Sequence, residues 1–151
     1  MGPLGYADAD GAVLYYHTPV RRHTLTSAFD IRKLGSELPR VDVVVSYSGV
    51  DGAMIDACVS AGARGIVSAG TGAGRPTPAE DAALDAARAL GVVVCQASRT
   101  GSGRVARSPR LRSRGFVTAD NLTPWKARVL LALALTVSDD PDFIQSLFDT
   151  H

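Results

Sequence analysis

Two cysteines, two methionines and three histidines are all the soft or imidazole chemistry in this 151-residue chain. Cys58 and Cys95 stand apart in apolar surroundings, one in a helical pattern and one in a strand pattern, and read as free thiols rather than a disulfide. His17, His23 and His151 have no ligand-like spacing, so no bound metal is expected, and nothing else in the chain calls for a cofactor. Aromatic residues make up only 6% of the chain and the net charge is +1, so neither a base-stacking platform nor a generally basic surface is present. No apolar run is long enough to span a bilayer; the longest, residues 129–135, sits inside an amphipathic helical pattern. The chain does not open with a basic segment followed by an apolar stretch, so no signal peptide is read. Compartment stays open between cytoplasm and periplasm or exterior. Neither nucleic acid nor membrane is expected as a partner. The 46% hydrophobic content that remains suits one ordinary globular domain.

What the chain does have is glycine in one place. Residues 65–74 read Gly-Ile-Val-Ser-Ala-Gly-Thr-Gly-Ala-Gly, a short apolar strand running into a loop with glycine at 70, 72 and 74. Thr77-Pro-Ala-Glu80 then has capping-box spacing with proline at the first helical position, and opens a helix to Leu90. Strand, glycine turn, helix is the arrangement by which α/β proteins bring backbone N–H groups up to a ligand at the carboxyl end of a sheet. The Gly70-x-Gly72-x-Gly74 spacing is not the full dinucleotide fingerprint.

The rest of the pattern alternates. Residues 41–47 form a near-continuous β-branched run, expected to be a strand buried on both faces. Residues 51–61 place Met54, Ile55, Cys58 and Val59 at helical spacing, with Asp51 as N-cap. Residues 92–96 read as a third strand and 115–118 as a short fourth. Helices are expected from Thr123 to Val137 and from Asp140 to about Phe148. Trp125, Val129, Leu130 and Leu133 make the apolar stripe of the first of these, a core or subunit-interface face, with Arg128 solvated or ion-paired. The expected fold is a three-layer α/β/α sandwich around a small parallel, Rossmann-like sheet. Ahead of it, residues 4–8 and 12–16 around Asp8-Ala-Asp-Gly11 read as a β-hairpin, and residues 18–26 as a linker. A lone hairpin is marginal, so these look like the end of a preceding domain, or else an edge hairpin on this one.

Few side chains offer chemistry by themselves. Ser98 and Ser102 lie near a strand end, but no histidine has a role beside them. Asp42, Asp51 and Asp56 could be read as an acidic cluster, though a cap and an exposed helix face explain the last two. Arg104, Arg107, Arg110, Arg112 and Arg114 put five guanidinium groups in eleven residues, enough for a phosphate strip. Their serine and proline neighbours favour an exposed flexible loop with a solvated surface.

Several segments carry a family resemblance. Gly2-Pro-Leu-Gly-Tyr6, Pro19-Val-Arg-Arg-His-Thr24, Leu38-Pro-Arg-Val-Asp42 and the 65–74 loop resemble bacterial-type L-asparaginases. So do Ser98-Arg99 with Gly101-Ser-Gly-Arg104, Gly115-Phe-Val117, residues 121–136 beginning Asn-Leu-Thr-Pro-Trp-Lys, and residues 140–148. The resemblance runs through the chain in order, and corresponds to the C-terminal domain of such an enzyme. It implies that residues 1–26 are a hairpin and linker left from an N-terminal domain, and that residues 27–151 are the C-terminal α/β domain. It implies hydrolysis of L-asparagine to L-aspartate and ammonia by the whole enzyme, acting as a homodimer or tetramer on a small amide substrate. The family's threonine nucleophile sits in a Thr-Gly-Gly-Thr motif, with a Thr-Asp-Lys set further along. This sequence has neither that motif nor Thr-Asp-Thr, so no catalytic residue is assigned and the chain alone is expected to be inactive. Gly72, Ala73 and Gly74 are the substrate-lining residues the resemblance implies, facing a neighbouring subunit's site. Periplasmic-type members carry Asn where this chain has Ala73, which offers no side-chain hydrogen bond. They also carry an acidic residue in the stretch that is here residues 104–114, which contains none. The alternative function is a free-standing α/β module that binds a small molecule or partner without catalysis.

Overall fold

Strand order decides where every helix must lie. The computed structural model describes residues 3–7, 9, 11–18 and 20–151. Strands β1 (Gly5–Ala7) and β2 (Val13–Tyr15) pair antiparallel as a separate hairpin. Strands β3 (Val41–Val45), β4 (Gly65–Gly70), β5 (Val93–Ser98) and β6 (Val117–Thr118) form a parallel sheet in that order. Helix α1 (Ala53–Ser60) connects β3 to β4, α2 (Pro78–Ala89) connects β4 to β5, and the short α3 (Pro109–Ser113) precedes β6. Helices α4 (Pro124–Ala134) and α5 (Pro141–Thr150) complete the chain. Successive crossovers of one hand, stepping always in one direction, put their helices on one face. One core cluster accordingly joins Ile66, Val94 and Phe116 to Ile55, Leu84 and Leu111 of α1, α2 and α3. The other joins Val67, Val93 and Cys95 to Leu131 of α4 and to Ile144 and Phe148 of α5. The three-layer sandwich is therefore as the sequence predicts.

Two sequence expectations need correction, the two-sided burial of β3 and the N-cap of α1, and the helices α1 and α4 show which of their apolar residues the core takes. Strand β3 is an edge strand, with one neighbour rather than two. Val41 and Val44 are buried, but Asp42 and Val43 are half-buried and Val45 is 41% exposed. An apolar run reads the same for an edge as for a central strand. In α1 only Ile55 is fully buried; Cys58 and Val59 are half-buried and Met54 is exposed. The buried face of α4 is Ala127, Leu131 and Ala134, while Trp125 and Val129 face outward. Small alanines let the helix sit close on the sheet, so the larger side chains are left on the outer face. The N-cap of α1 is Gly52, and Asp51 acts one residue earlier, its Oδ1 accepting from the Ala53 N–H at 3.0 Å.

The start of α2 is built as its sequence predicts. Thr77 Oγ1 accepts from the Glu80 N–H at 3.2 Å, and Glu80 Oε2 accepts from the Thr77 N–H at 2.9 Å. Glu80 is also fully buried, and the same oxygen accepts from the Ser46 hydroxyl at 2.6 Å. Thr77 Oγ1 donates to the Val50 carbonyl at 2.9 Å. The cap thus joins the end of β3 to the start of α2.

The hairpin's Leu4, Tyr6, Val13, Leu14, Tyr15 and Tyr16 are all exposed, with Tyr6 and Tyr16 in an edge-on ring contact. Its turn at residues 8–11 lies partly outside the described residues, at Asp8 and Asp10, as do Gly2 and Pro19 of the quoted motifs. The linker contains one short 3₁₀ turn, Thr24–Thr26, and a second follows it at Ile31–Lys33. It is tied down by Arg21, which donates to Asp120, Asn121 and the Phe148 carbonyl, and by the Arg22 N–H to the Thr150 carbonyl. Among the described residues no helix is long and apolar enough to cross a membrane.

Replacing Glu80 by Ala is expected to destabilise the domain by about 2–4 kcal/mol, because it leaves the buried Ser46 hydroxyl and the half-buried Thr77 N–H without an acceptor. Glu80→Gln keeps one acceptor oxygen and should lose less, with equilibrium urea unfolding as the measurement. Equal losses in the two variants would count against the carboxylate's role. Burial pushes the Cys95 thiol far above its ordinary range. The Cys58 thiol is raised by desolvation first and by the Asp42 carboxylate second. A thiol reagent at about pH 8 should therefore label Cys58 slowly and Cys95 only on unfolding. Labelling of both at one rate in the native state would contradict this burial.

Candidate functional site

The glycine loop closes on itself rather than cradling a ligand. Thr71 and Arg75 exchange both backbone hydrogen bonds, each at 2.9 Å, so their N–H groups are already satisfied. Residues 72–74 form the tip. Gly74 has φ +79°, and a Cβ there would lie 2.9 Å from Val105 Cγ2 and 3.1 Å from the Ala97 carbonyl oxygen. A Cβ on Gly70 would lie 2.3 Å from the Gly74 carbonyl carbon. The loop folds back this tightly only because both positions lack a side chain. The Ser98 hydroxyl donates to the Gly72 carbonyl at 2.5 Å and contacts the Thr100 hydroxyl at 2.7 Å. The Arg99 N–H donates to the Gly70 carbonyl at 2.9 Å. Ser98 is thereby a brace for the loop. No imidazole hydrogen-bonds it among the described residues.

The α2 N-terminus is equally occupied. The Thr77 and Glu80 N–H groups bond the capping-box side chains, and Pro78 has none to offer. Most of the backbone N–H groups that a ligand at this segment would use are therefore already taken.

A chamber of about 560 Å³ opens beside the loop, between the start of α2 and α3. That is within the range of small-molecule sites. Ala73, Arg75, Thr77, Gln96, Ser108 and Arg110 are among its lining residues. Of the three loop residues that the family resemblance implies, Ala73 lines this chamber. Gly72 is exposed beside it and Gly74 is buried beneath Val105. Gln96 is a site residue that sequence reasoning misses. A polar residue in the apolar strand Val93–Ser98, on the same face as Val94, is the signal that could have found it.

The arginine run is not a flexible solvated loop. Ser108 caps α3, its Oγ accepting from the Leu111 N–H at 3.3 Å, and Leu111 is buried. Carboxylates from distant sequence hold the arginines. Arg104 Nε meets Asp120 at 2.6 Å, and Arg107 pairs with Asp142. Arg110 pairs with Asp81. Arg114, whose side chain is only 14% exposed, meets Asp81 and Asp85 at 2.8 Å each. Its guanidinium also lies 4.2 Å from the Phe116 ring centroid. These pairs neutralise most of what would have been a phosphate strip. The other charged candidates do separate jobs: Asp42 pairs with Arg40 at 2.8 Å, and Arg128 Nε donates to the Val41 carbonyl at 2.8 Å rather than to an acid.

Gly74→Ala is expected to destabilise the protein by about 2–4 kcal/mol, combining strain at positive φ with a clash. Gly72→Ala also has positive φ but open space around it, and should cost about 1 kcal/mol. Urea unfolding of the two variants checks the order; Gly72→Ala as the worse of the two would contradict the packing against Val105.

Comparison with known proteins fits the fold and the loop. Residues 40–148 match the Glutaminase/Asparaginase C-terminal domain. The chain is 40% identical over 152 residues to L-asparaginase 2 of Escherichia coli strain K12, covering 99% of this chain and 43% of that protein. It is 36% identical over 149 residues to L-asparaginase 2 of Bacillus subtilis strain 168, covering 98% of this chain and 40% of that one. Among solved structures it is similar to a probable cytoplasmic L-asparaginase from Campylobacter jejuni. There the TM-score is 0.90 and the identity 40%, covering 98% of this chain and 48% of that chain. The chain spans less than half the length of these relatives. With sequence, sheet order and helix placement in agreement, the chain belongs to the glutaminase/asparaginase C-terminal domain family.

Proposed function

We propose that this chain serves as the C-terminal domain of an L-asparaginase-like amidohydrolase that converts L-asparagine and water to L-aspartate and ammonia. The observation that carries the reading is the 40% identity over 99% of the chain to a relative named L-asparaginase 2, of which it spans 43%. Residues 27–151 act as the domain, and residues 1–26 as a hairpin and linker belonging with a preceding domain.

In this reading the chain supplies scaffold and a site edge, not the nucleophile. Amide hydrolysis needs an activated hydroxyl, a proton acceptor and oxyanion donors. The Ser98 hydroxyl is engaged by the Gly72 carbonyl, and the sequence holds neither Thr-Gly-Gly-Thr nor Thr-Asp-Thr. The nucleophile then comes from outside these residues. The tip at Gly72, Ala73 and Gly74, at the carboxyl end of β4, lines the active site of a neighbouring subunit in a homodimer or tetramer. The outward apolar face of α4, with Trp125 64% and Val129 53% exposed, is surface that assembly would cover. A binding module without catalysis is the second reading, favoured by the chamber next to the loop.

The purified chain is expected to release no ammonia from L-asparagine or L-glutamine. Activity that follows protein concentration through repurification would overturn this. In a protein that joins this chain to a domain carrying the threonine motif, Ala73→Asn should raise kcat/KM for L-asparagine by about tenfold, the worth of one added hydrogen bond to substrate. No change in kcat/KM would remove Ala73 from the site's edge.

A further inference from the structure

We propose that the chamber between the glycine loop, the start of α2 and α3 binds a small organic anion, its carboxylate or phosphate oxygens received by Gln96 and Arg75. The inference stands apart from amide hydrolysis, since it needs neither a nucleophile nor a second subunit.

Gln96 is the first observation. It is 3% exposed, lines the chamber, and its Nε2 has no hydrogen-bond partner. Folded chains rarely leave a buried amide donor unmatched, because the lost hydration has nothing to replace it. An acceptor entering the chamber is the missing partner. Gln96 sits in β5 beside Ser68 of β4 and Thr118 of β6, so its backbone is fixed by pairing on both sides. With the backbone fixed and the side chain 3% exposed, the amide has few places in which to meet an acceptor.

Charge is the second observation. Arg75, Arg104, Arg110 and Asp81 all line the chamber. Asp81 is already held by Arg110 and Arg114, and Arg104 is held by Asp120. Arg75 enters no ion pair among the described residues, and its backbone is pinned by the exchange with Thr71. The chamber therefore presents an unmatched guanidinium and an unmatched amide N–H, both donors. A ligand that satisfies them carries oxygens and negative charge. The helix terminus is not counted among these donors, since the capping box engages its Thr77 and Glu80 N–H groups and Pro78 has none.

Size and walls leave room for more than a bare ion. About 560 Å³ exceeds the space of a single oxyanion, and Pro76, Pro78 and Leu111 give apolar walls for an organic body.

The test titrates the chain with inorganic phosphate and, separately, with succinate, at constant ionic strength. Gln96 side-chain amide signals are followed in nitrogen-15 resolved spectra. A saturable shift of these signals is expected. Saturation by phosphate alone assigns phosphate esters, by succinate alone assigns carboxylates, and by both assigns oxyanions generally. Arg75→Ala, at an exposed position, should weaken binding by about tenfold or more. Gln96→Met, followed through the backbone amide signals of residues 71–75, should abolish it, whereas Lys33→Ala in the Ile31–Lys33 turn should leave it unchanged. A linear shift with no saturation, or affinity unaltered in Arg75→Ala, overturns the proposal. If Gln96→Met does not fold, Arg75→Ala decides the matter by itself. Failure here leaves the amidohydrolase reading intact, because that reading is judged by turnover in the joined domains.

Discussion

The buried carboxylate of Glu80 is the interaction on which the geometry of the site depends. One of its oxygens receives the Ser46 hydroxyl from beyond the end of β3 and the Thr77 N–H at the start of α2. A buried carboxyl group is tolerated only where hydrogen bonds satisfy its oxygens, and these donors come from two different segments. The position of α2 along the sheet is thereby set from the inside. Helix α2 in turn carries Asp81 and Asp85, the acids that hold Arg110 and Arg114. Helix α3 is five residues long and has one fully buried side chain, Leu111, too little to hold itself in place. Its placement follows from α2, and the chamber wall from both.

The same logic explains why the arginine run is so basic in a chain whose net charge is only +1. Strand order puts α1, α2 and α3 on one face of the sheet, with the acidic side of α2 turned toward α3. A segment packed beside Asp81 and Asp85 gains from guanidinium groups, whose planar fork can engage two acids at once, as Arg114 does. Most of these pairs are exposed on one side and contribute about 0–1 kcal/mol each. Arg114 is the exception. Burial disfavours its charge, but hydrogen bonds to Asp85 and Asp81 outweigh that and leave its pKa raised.

Legibility in the sequence tracks the range of the interaction. The capping box at Thr77-Pro-Ala-Glu80 is readable because both partners lie within four residues, and it forms as written. The alternation of strands and helices is readable because its periods are local, and it sets the layers correctly. The edge position of β3 is not, because an apolar run records hydrophobicity and not the number of neighbouring strands. Nor is the outward turn of Trp125 and Val129, since α4 has apolar residues on several sides and packing chooses the alanines. The acids facing the arginine run lie 16 to 35 residues away, outside any local pattern. In the glycine loop the turn is legible, but the mutual pairing of Thr71 and Arg75 that satisfies its N–H groups is not.

That pairing also separates the two roles this end of the sheet can play. A loop whose strand-like edges are closed by hydrogen bonds presents its tip, Ala73, as a fixed methyl, which suits a wall more than a ligand clamp. The chamber beside it is different, because one lining arginine, Arg110, shares its acid with a second arginine. Arg110, 62% exposed, shares Asp81 with Arg114, which is 14% exposed. Were Arg110 to leave Asp81 for another anion, Asp81 would still hold Arg114. The wall can therefore yield one guanidinium to a ligand while α3 stays anchored through the more buried pair. The redundancy at Asp81 lets the chamber be structurally closed and electrostatically adjustable at once.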